Sequence, residues 1–186
     1  MRVIAGTARG MKLFAPKGLT TRPPLDHIKE ALFNIISGEV EGVNVLDLYA
    51  GSGSFGIEAL SRGAASAVFV EEDRAAIEAL RKNLKKTGFL EKARISRLSV
   101  QSFLEKRSSG GGLFDLIFLD PPFRISLIEI RTVFKVLQQA DLIEESAMVI
   151  LRVNSIRDVP VSPGFDLEKD RTYGDSRLLF YRRRKA

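Results

Sequence analysis

The sequence predicts an α/β fold: a mostly parallel seven-stranded sheet with helices on both faces and a C-terminal antiparallel hairpin. Three observations predict it. Between residues 43 and 153, short apolar segments alternate with amphipathic ones, as in repeated βα units. The segment 113–119 is almost entirely apolar, which is typical of a central strand buried on both faces. After residue 164, two strand-like segments are joined near Gly174.

The individual elements follow from the same patterns. Residues 2–14 predict a short hairpin or extended arm, and Asp26 is placed to cap a helix that runs to about Ser37. We expect strands at 43–49, 67–70, 93–98, 113–119, 147–153, 165–173 and 177–183. We expect helices from the glycine loop to Arg62, over 74–87 after a capping Asp73, up to Arg107, and over 126–139.

Composition limits the class of protein. The chain has 186 residues, 45% of them hydrophobic, which fits one folded domain rather than a disordered chain. It has no cysteine and a single histidine, His27, which excludes a disulfide scaffold, a zinc finger, a cysteine nucleophile and a multi-histidine metal site. No apolar run approaches the ~18 residues of a membrane span, and no signal-peptide core is present. We therefore expect a cytoplasmic protein without membrane contact.

The net charge of +6 is unevenly distributed. Residues 1–22 and the last five residues hold nine basic side chains and no acidic one, so the 159 residues between them sum to −3. The basic ends predict contact with a polyanion, and solubility alone is the alternative explanation. Spaced basic residues in a strand-like arm favour contact with RNA phosphates.

A glycine loop lies between the first predicted strand and its helix. Residues 51–56 match G-x-G-x-x-G, and Glu71 stands 20 residues after Gly51, where an acid binds ribose hydroxyls. Tight βα turns also use glycine for steric reasons, but this context favours a nucleoside cofactor. Asp47 would repel a pyrophosphate and would suit a cationic ligand such as S-adenosylmethionine, which carries a sulfonium and an ammonium.

A second cluster, Asp120-Pro121-Pro122-Phe123, stands at the end of the central strand. Two prolines stiffen the turn and remove two donors, so that carbonyl groups remain available as acceptors. Asp120 and the Pro121 carbonyl would accept hydrogen bonds from a base amine and stabilise the charge that develops on its nitrogen. Phe123 would stack on a flipped base. The structural alternative is a strand terminator with a capping aspartate.

Together the two motifs resemble the class I S-adenosylmethionine-dependent methyltransferases, specifically the amino-methylating branch with an [N/D]-P-P-[F/Y] motif. Segments 2–13, 22–34 and 173–181 are similar to the bacterial 16S rRNA guanine-N2 methyltransferases, so the resemblance covers essentially the whole chain. It implies a Rossmann-like single domain over 1–186, with a basic arm and helix at 1–38 and the cofactor-binding and catalytic core at 39–186. It also implies methyl transfer to a guanine N2 of 16S rRNA in the assembled or assembling small subunit, by a monomer that needs no metal.

The site residues implied by this reasoning fall into three groups. The catalytic motif is Asp120, Pro121, Pro122 and Phe123. The candidate cofactor contacts are Asp47, Tyr49, Gly51, Gly53, Glu71, Glu72, Ser99, Val100 and Asp120. The candidate RNA contacts are Arg2, Arg9, Lys12, Arg22 and Arg124. Pro24 and His27 depart from the family, which usually has Thr and Arg at these positions.

Three other functions compete with this interpretation. DNA adenine-N6 and protein-glutamine methyltransferases share the proline motif, but they usually add a target-recognition domain for which this chain has no room. A nicotinamide-dependent oxidoreductase would explain the glycine loop, but Asp47 and the lack of a proton-relay pair disfavour it. A non-catalytic RNA-binding module would explain the basic ends and would leave 120–123 without a role.

Overall fold

A computed structural model describes residues 1–15, 24–107, 113–139, 142–158, 160 and 162–184. Five α-helices are present in these ranges: α1 (Pro24–Ile35), α2 (Ser54–Ser61), α3 (Arg74–Thr87), α4 (Val100–Arg107) and α5 (Leu127–Gln139). The strands are β1 (Asn44–Leu48), β2 (Ser66–Val70), β3 (Ala93–Ser96), β4 (Phe114–Leu119), β5 (Ile143–Asn154), β6 (Phe165–Tyr173) and β7 (Ser176–Arg183). A short 3₁₀ turn, Leu90–Lys92, precedes β3.

The seven strands form one sheet in the order β3-β2-β1-β4-β5-β7-β6. Strands β1 to β5 pair in parallel, while β7 pairs antiparallel with both β5 and β6. This confirms the predicted mostly parallel sheet with a terminal hairpin. The strand order reverses between β1 and β4, and Leu48 pairs with Leu119 at their carboxyl ends. Ligands of doubly wound sheets bind at such a switch point.

Helices cover both faces of the sheet, as expected for buried parallel strands. One buried cluster joins α1, α2 and α3 to alternate strand residues, including Leu32, Phe55, Leu80, Phe69 and Phe118. The other joins α4 and α5 to the opposite face, including Phe103, Phe134, Leu137, Leu119 and Leu151. In the described ranges, no helix combines the length and apolar character needed to cross a bilayer.

The N-terminal arm is a tight antiparallel turn that packs into the first cluster. The Val3 N–H donates to the Met11 carbonyl and the Leu13 N–H to the Met1 carbonyl, both at 3.0 Å, which confirms the predicted short hairpin. Val3 and Leu13 are buried in the core with α1. The arm is therefore anchored by its apolar side chains, and its basic side chains face outward.

Two local predictions differ from the structure. Asp26 is not the cap of α1, because the helix begins at Pro24, a residue whose fixed φ suits a first helical position. Asp26 lies in the first turn and accepts a hydrogen bond from the Arg2 N–H at 3.2 Å. Strand β5 begins at Ile143 rather than at residue 147. Residues 144–146 are polar and not buried, so they lack the apolar character by which the strand was predicted. Asp73 does cap α3, through the Ala76 N–H at 2.7 Å.

Candidate active site

The glycine loop follows β1 and opens α2. Gly53 stands at the N-cap of α2 with a φ of 84°, a left-handed conformation that favours glycine. A Cβ on Gly56 would lie 2.3 Å from an atom of the Phe69 ring, so only glycine allows α2 to pack this closely on β2. Steric constraints thus explain why glycine stands at both positions. These constraints are compatible with a ligand above the loop.

Asp47 lies beneath this loop and is almost fully buried, with 1% of its surface exposed. Its Oδ2 accepts the Gly56 N–H at 2.9 Å, while Oδ1 has no hydrogen-bond partner among the described residues. Burial raises the pKa of Asp47 well above its ordinary range, and the nearby charges of Asp120 and Glu71 raise it further. Burial therefore disfavours the ionised form of Asp47, and a positively charged ligand nearby would favour it.

Glu71, at the end of β2, folds back over the glycine loop. Its carboxylate accepts the Gly51 N–H at 2.8 Å and the N–H groups of Glu72 and Asp73 at 2.9 Å each. The Glu71 carboxylate, which is predicted to bind the ribose hydroxyls, is thus held in a fixed position beside the loop. Tyr49 precedes the loop with a φ of 60°, an uncommon conformation for a residue with a side chain, which turns the backbone sharply after β1.

The remaining candidate cofactor residues lie at the edges of this region. Glu72 is exposed, and Val100 is the first residue of α4 and is buried in the core. The Ser99 Oγ accepts the Ser102 N–H at 3.2 Å, so this side chain caps α4. Sequence reasoning did not include Asn83 of α3, which is buried and joins the arm to the glycine loop. Its amide donates to the Ser52 carbonyl at 2.9 Å and also pairs with the Phe14 backbone.

The second motif stands beside the loop, at the carboxyl end of β4. The Asp120 N–H donates to the Leu48 carbonyl at 3.3 Å, which joins the motif to β1. The Asp120 carboxylate forms a two-point ion pair with Arg152 of β5, at 2.6 Å from Nε and 3.2 Å from Nη2. Burial raises the pKa of Asp120, and the Arg152 guanidinium opposes that rise.

Two arginines that the sequence reasoning missed hold this motif. The Arg152 guanidinium carbon lies 5.3 Å from the centre of the Phe123 ring, within the range of a cation–π contact. Arg157 donates to the carbonyl groups of Phe123 and Ile125 and fixes the turn after the prolines. Arg152 lies 32 residues after Asp120 and Arg157 lies 32 residues after Ile125, so neither arginine belongs to a local motif.

Four of the five candidate RNA residues have a described position, and all four lie on the surface. Arg2, Arg9, Lys12 and Arg124 are exposed, while Arg22 falls outside the described residues. The Lys86 ammonium of α3 donates to the Lys12 carbonyl at 2.7 Å, which brings a further cation next to the arm.

The site fits a nucleoside ligand that carries positive charge. Within the described part of the chain, no atom lies within 4 Å of where a Cβ on Gly51 would be, so the space above the loop is open. The unpaired Oδ1 of Asp47 and the mutual electrostatic effect of Asp47, Glu71 and Asp120 make the region acidic. Across the described ranges, no group of three or more His, Asp or Glu side chains is arranged to hold a metal ion.

Comparison with known proteins agrees with this geometry. A family model described as Conserved hypothetical protein 95 matches residues 1–182, nearly the full length of the chain. The chain belongs to this family. Similar curated proteins include the Bacillus subtilis protein YlbH, 34% identical over 99% of this chain and 100% of that protein. They also include the Escherichia coli K12 ribosomal RNA small subunit methyltransferase D, 33% identical over 98% and 90% of the two chains.

A solved structure shares the fold of this member of the Conserved hypothetical protein 95 family. The Escherichia coli protein yhhF superposes with a TM-score of 0.87 at 33% identity, over 100% of this chain and 99% of that chain. The predicted Rossmann-like methyltransferase fold is thereby confirmed. Glycine loop and proline motif lie side by side in it at the switch point.

Proposed function

We propose that this protein transfers the methyl group of S-adenosylmethionine to the exocyclic N2 amine of a guanine in small-subunit ribosomal RNA. The observation that carries the proposal is the position of residues 120–123. They stand at the carboxyl end of β4, directly beside the glycine loop after β1, with Asp120 bonded to the Leu48 carbonyl. The name of the Escherichia coli relative supports the RNA and the subunit.

The cofactor residues would act through charge and position. S-adenosylmethionine supplies a methyl group that its sulfonium activates. Glu71, held by three backbone N–H groups, presents its remaining lone pairs to ribose hydroxyls at the end of β2. Asp47 offsets the cationic charge from beneath the loop, where its unpaired oxygen has no competing partner among the described residues. Gly51 leaves the loop open to the ligand.

The base residues would orient the amine and stabilise its developing charge. Asp120 and the Pro121 carbonyl accept the two N–H groups of the amine, which directs the nitrogen lone pair toward the cofactor. In a site with little water these acceptors also stabilise the positive charge that grows on nitrogen. Phe123, whose carbonyl is fixed by Arg157, offers its ring as a stacking surface.

Substitution of Asp120 tests the catalytic assignment. We expect Asp120→Ala to lower methyl transfer to small-subunit RNA at least about 100-fold, because an acceptor for the developing charge is lost. Affinity for S-adenosylhomocysteine, measured by calorimetry, should stay within about threefold, since Glu71 and the loop are unchanged. Asp115→Ala is the matched control, because Asp115 lies at the other end of β4 and pairs with the Asn44 N–H. Full activity of Asp120→Ala would contradict the proposal.

The cofactor and the target are tested separately. Calorimetry with S-adenosylhomocysteine and with NAD distinguishes a methyltransferase from an oxidoreductase, and binding of NAD alone would contradict a methyltransferase. Mapping of N2-methylguanine in ribosomal RNA from cells with and without the protein identifies the nucleotide. We expect one guanine of the small-subunit RNA to lose its methyl group in the deletion strain.

A further inference from the structure

Arg152 occupies the place where the proposed reaction seats a base. It follows Leu151, which pairs with Leu119, so its side chain reaches the carboxylate just beyond β4. Its Nε and Nη2 lie 2.6 and 3.2 Å from the two oxygens of Asp120, and its guanidinium lies over the Phe123 ring. The planar guanidinium of Arg152 therefore already contacts the Asp120 carboxylate and the Phe123 ring. A substrate base would use the same two groups, for hydrogen bonding and for stacking.

Guanine carries the same chemical group. Its ring N1–H and exocyclic N2–H₂ are bonded to one carbon, so they form a planar guanidine unit whose two N–H groups point in one direction. Arginine binds a carboxylate with the same side-by-side donors. In adenine and cytosine the amine is flanked by ring nitrogens that accept, or by C–H, and uracil has a single N–H between two carbonyls. Among the four bases, guanine alone can replace both N–H···O bonds of Arg152.

Building on the proposed function, we propose that Asp120 recognises guanine through both carboxylate oxygens, which accept its N1–H and N2–H. Arg152 is an internal mimic of that guanine edge, and the target base displaces it. The second hydrogen of the amine is left for the Pro121 carbonyl. The side chains of Arg152 and Asp120 are 20% and 19% exposed, so the displaced guanidinium has a path to solvent.

Selection and displacement have separate consequences. A base with only one donor leaves one oxygen of a largely buried carboxylate unpaired, which costs more than a missing bond at the surface. Asp120 therefore sets the preference for guanine. Arg152 lowers the affinity for every base by the same factor, because the site accepts a base only in the fraction of molecules whose guanidinium has moved away.

The displacement is tested with Arg152→Met, which keeps an apolar stem against Phe123 and removes the N–H donors. The substrate is small ribosomal subunits from cells that lack the enzyme, and rates are measured over a range of pH. On the upper plateau of the pH profile, where Asp120 is ionised in both proteins, we expect KM for the subunits to fall about threefold to tenfold. Arg94→Met, on the edge strand β3, should leave KM unchanged. Calorimetry with S-adenosylhomocysteine confirms that each variant is folded.

A KM that stays the same or rises in folded Arg152→Met would overturn the mimic. A second variant, Arg152→Lys, keeps the charge but lacks the planar pair of side-by-side N–H donors, and its KM should lie between those of the wild type and Arg152→Met. If Arg152→Met does not fold, Arg152→Lys carries the test, with an unchanged or higher KM as the contradicting result.

The recognition of N1–H is tested on the RNA side. The mapped guanine is replaced by 2-aminopurine in a ligated small-subunit RNA, because 2-aminopurine keeps the amine and lacks N1–H. We expect kcat/KM to fall about 10- to 100-fold, the effect of one hydrogen bond to a charged group. Equal rates with guanine and 2-aminopurine would overturn the recognition. If the wild-type enzyme methylates no guanine N2 at all, the proposed function itself fails, so the two failures are distinguishable.

Discussion

At the scale of single residues, the site is organised around carboxylates placed where water is scarce. Asp47 is the extreme case, since one of its oxygens is unpaired among the described residues and the other holds only the Gly56 N–H. Such a group lowers the stability of the folded protein, because ionisation is unfavourable in a buried position. Residues that a protein keeps at a cost in stability are candidates for function.

This cost gives a pH-dependent prediction for Asp47→Asn. The pKa of Asp47 in the folded protein lies above its ordinary 3.8, so the folded state binds more protons between the two values. Stability is therefore lost as pH rises through this window. We expect Asp47→Asn to be more stable than the wild type by about 1 to 3 kcal/mol at pH 8 and nearly equal at pH 4. Urea unfolding measures both, and lower stability of the variant at pH 8 would contradict the assignment.

The same variant separates charge from shape in cofactor binding. We expect Asp47→Asn to bind S-adenosylmethionine more weakly, by about tenfold, and to bind S-adenosylhomocysteine almost normally. Only the first of these ligands carries a sulfonium charge for a buried carboxylate to offset. Calorimetry with both ligands measures the two affinities, and an equal loss for both would contradict a role of Asp47 toward the sulfonium charge.

At the scale of elements, the arm, α1 and α2 are joined by a buried polar cluster. The Lys29 ammonium is fully buried and lies 3.3 Å from the Glu58 carboxylate, and it donates to the Arg2 carbonyl at 2.5 Å. Glu58 also accepts the Ile4 and Ala5 N–H groups at 2.8 and 3.0 Å. Burial lowers the pKa of Lys29, and Glu58 opposes that effect. The cluster therefore fixes the arm to the helix that follows the glycine loop.

A double-mutant cycle measures the interaction free energy between Lys29 and Glu58. We expect Lys29→Met and Glu58→Gln each to lower the free energy of unfolding by about 3 kcal/mol, because each removes one charge of a fully buried ion pair. The double variant should lose less than the sum of the two, since Glu58 no longer faces a missing ammonium and Lys29 no longer faces a missing carboxylate. Additive losses, measured by urea unfolding, would show that the two side chains act independently. Arg74→Met, which breaks an exposed pair with Glu78, should change stability by less than about 1 kcal/mol.

Asn83 links two other elements, and its removal should affect binding as well as stability. Its side chain pairs with the Phe14 backbone at the end of the arm and donates to Ser52 in the glycine loop. We expect Asn83→Ala to weaken S-adenosylhomocysteine binding about tenfold or more, because the loop loses a fixed contact. Thr87→Ala, one turn further along α3, is the control, since Thr87 bonds only within its own helix among the hydrogen bonds described here. Unchanged binding by Asn83→Ala would contradict this link.

The sequence predicted the elements whose pattern is local. The apolar run 113–119 became β4, and the predicted hairpin became β6 and β7. The predicted start of α1 was wrong because Pro24 and Asp26 both favour the beginning of a helix. The neighbouring sequence does not show which of the two residues begins it. Arg152 was missed for a different reason: its partner Asp120 lies 32 residues away, so only the register of β4 and β5 brings the two together.

At the scale of the whole molecule, basic and acidic side chains lie in different regions. The chain carries a net charge of +6, with basic residues concentrated toward its ends and acidic groups around the glycine loop. The arm presents Arg9 and Lys12 to solvent on a surface that Lys86 joins. Such a surface would hold RNA by its phosphates without interfering with the acidic site.

The salt dependence of RNA binding tests this surface. We expect the double variant Arg9→Gln, Lys12→Gln to bind small-subunit RNA more weakly at low salt. The slope of log affinity against log salt should also fall, by about 0.7 to 0.9 for each lost phosphate contact. The control changes Lys169 and Arg171 to Gln on β6, at the far edge of the sheet. An unchanged slope in the arm variant would assign Arg9 and Lys12 to solubility alone.

The position of β7 has a consequence for how the protein is made. Strand β7 comes after β6 in the sequence, yet it lies between β5 and β6 in the sheet. A nascent chain that has emerged only as far as residue 175 therefore lacks β7, the strand with which β6 pairs. During that interval β5 is an open edge with the apolar run Met148–Leu151, a surface that favours pairing with other chains. Emergence of the eight residues of β7 closes this edge, so a chain released before residue 176 would be aggregation-prone rather than a weakened enzyme.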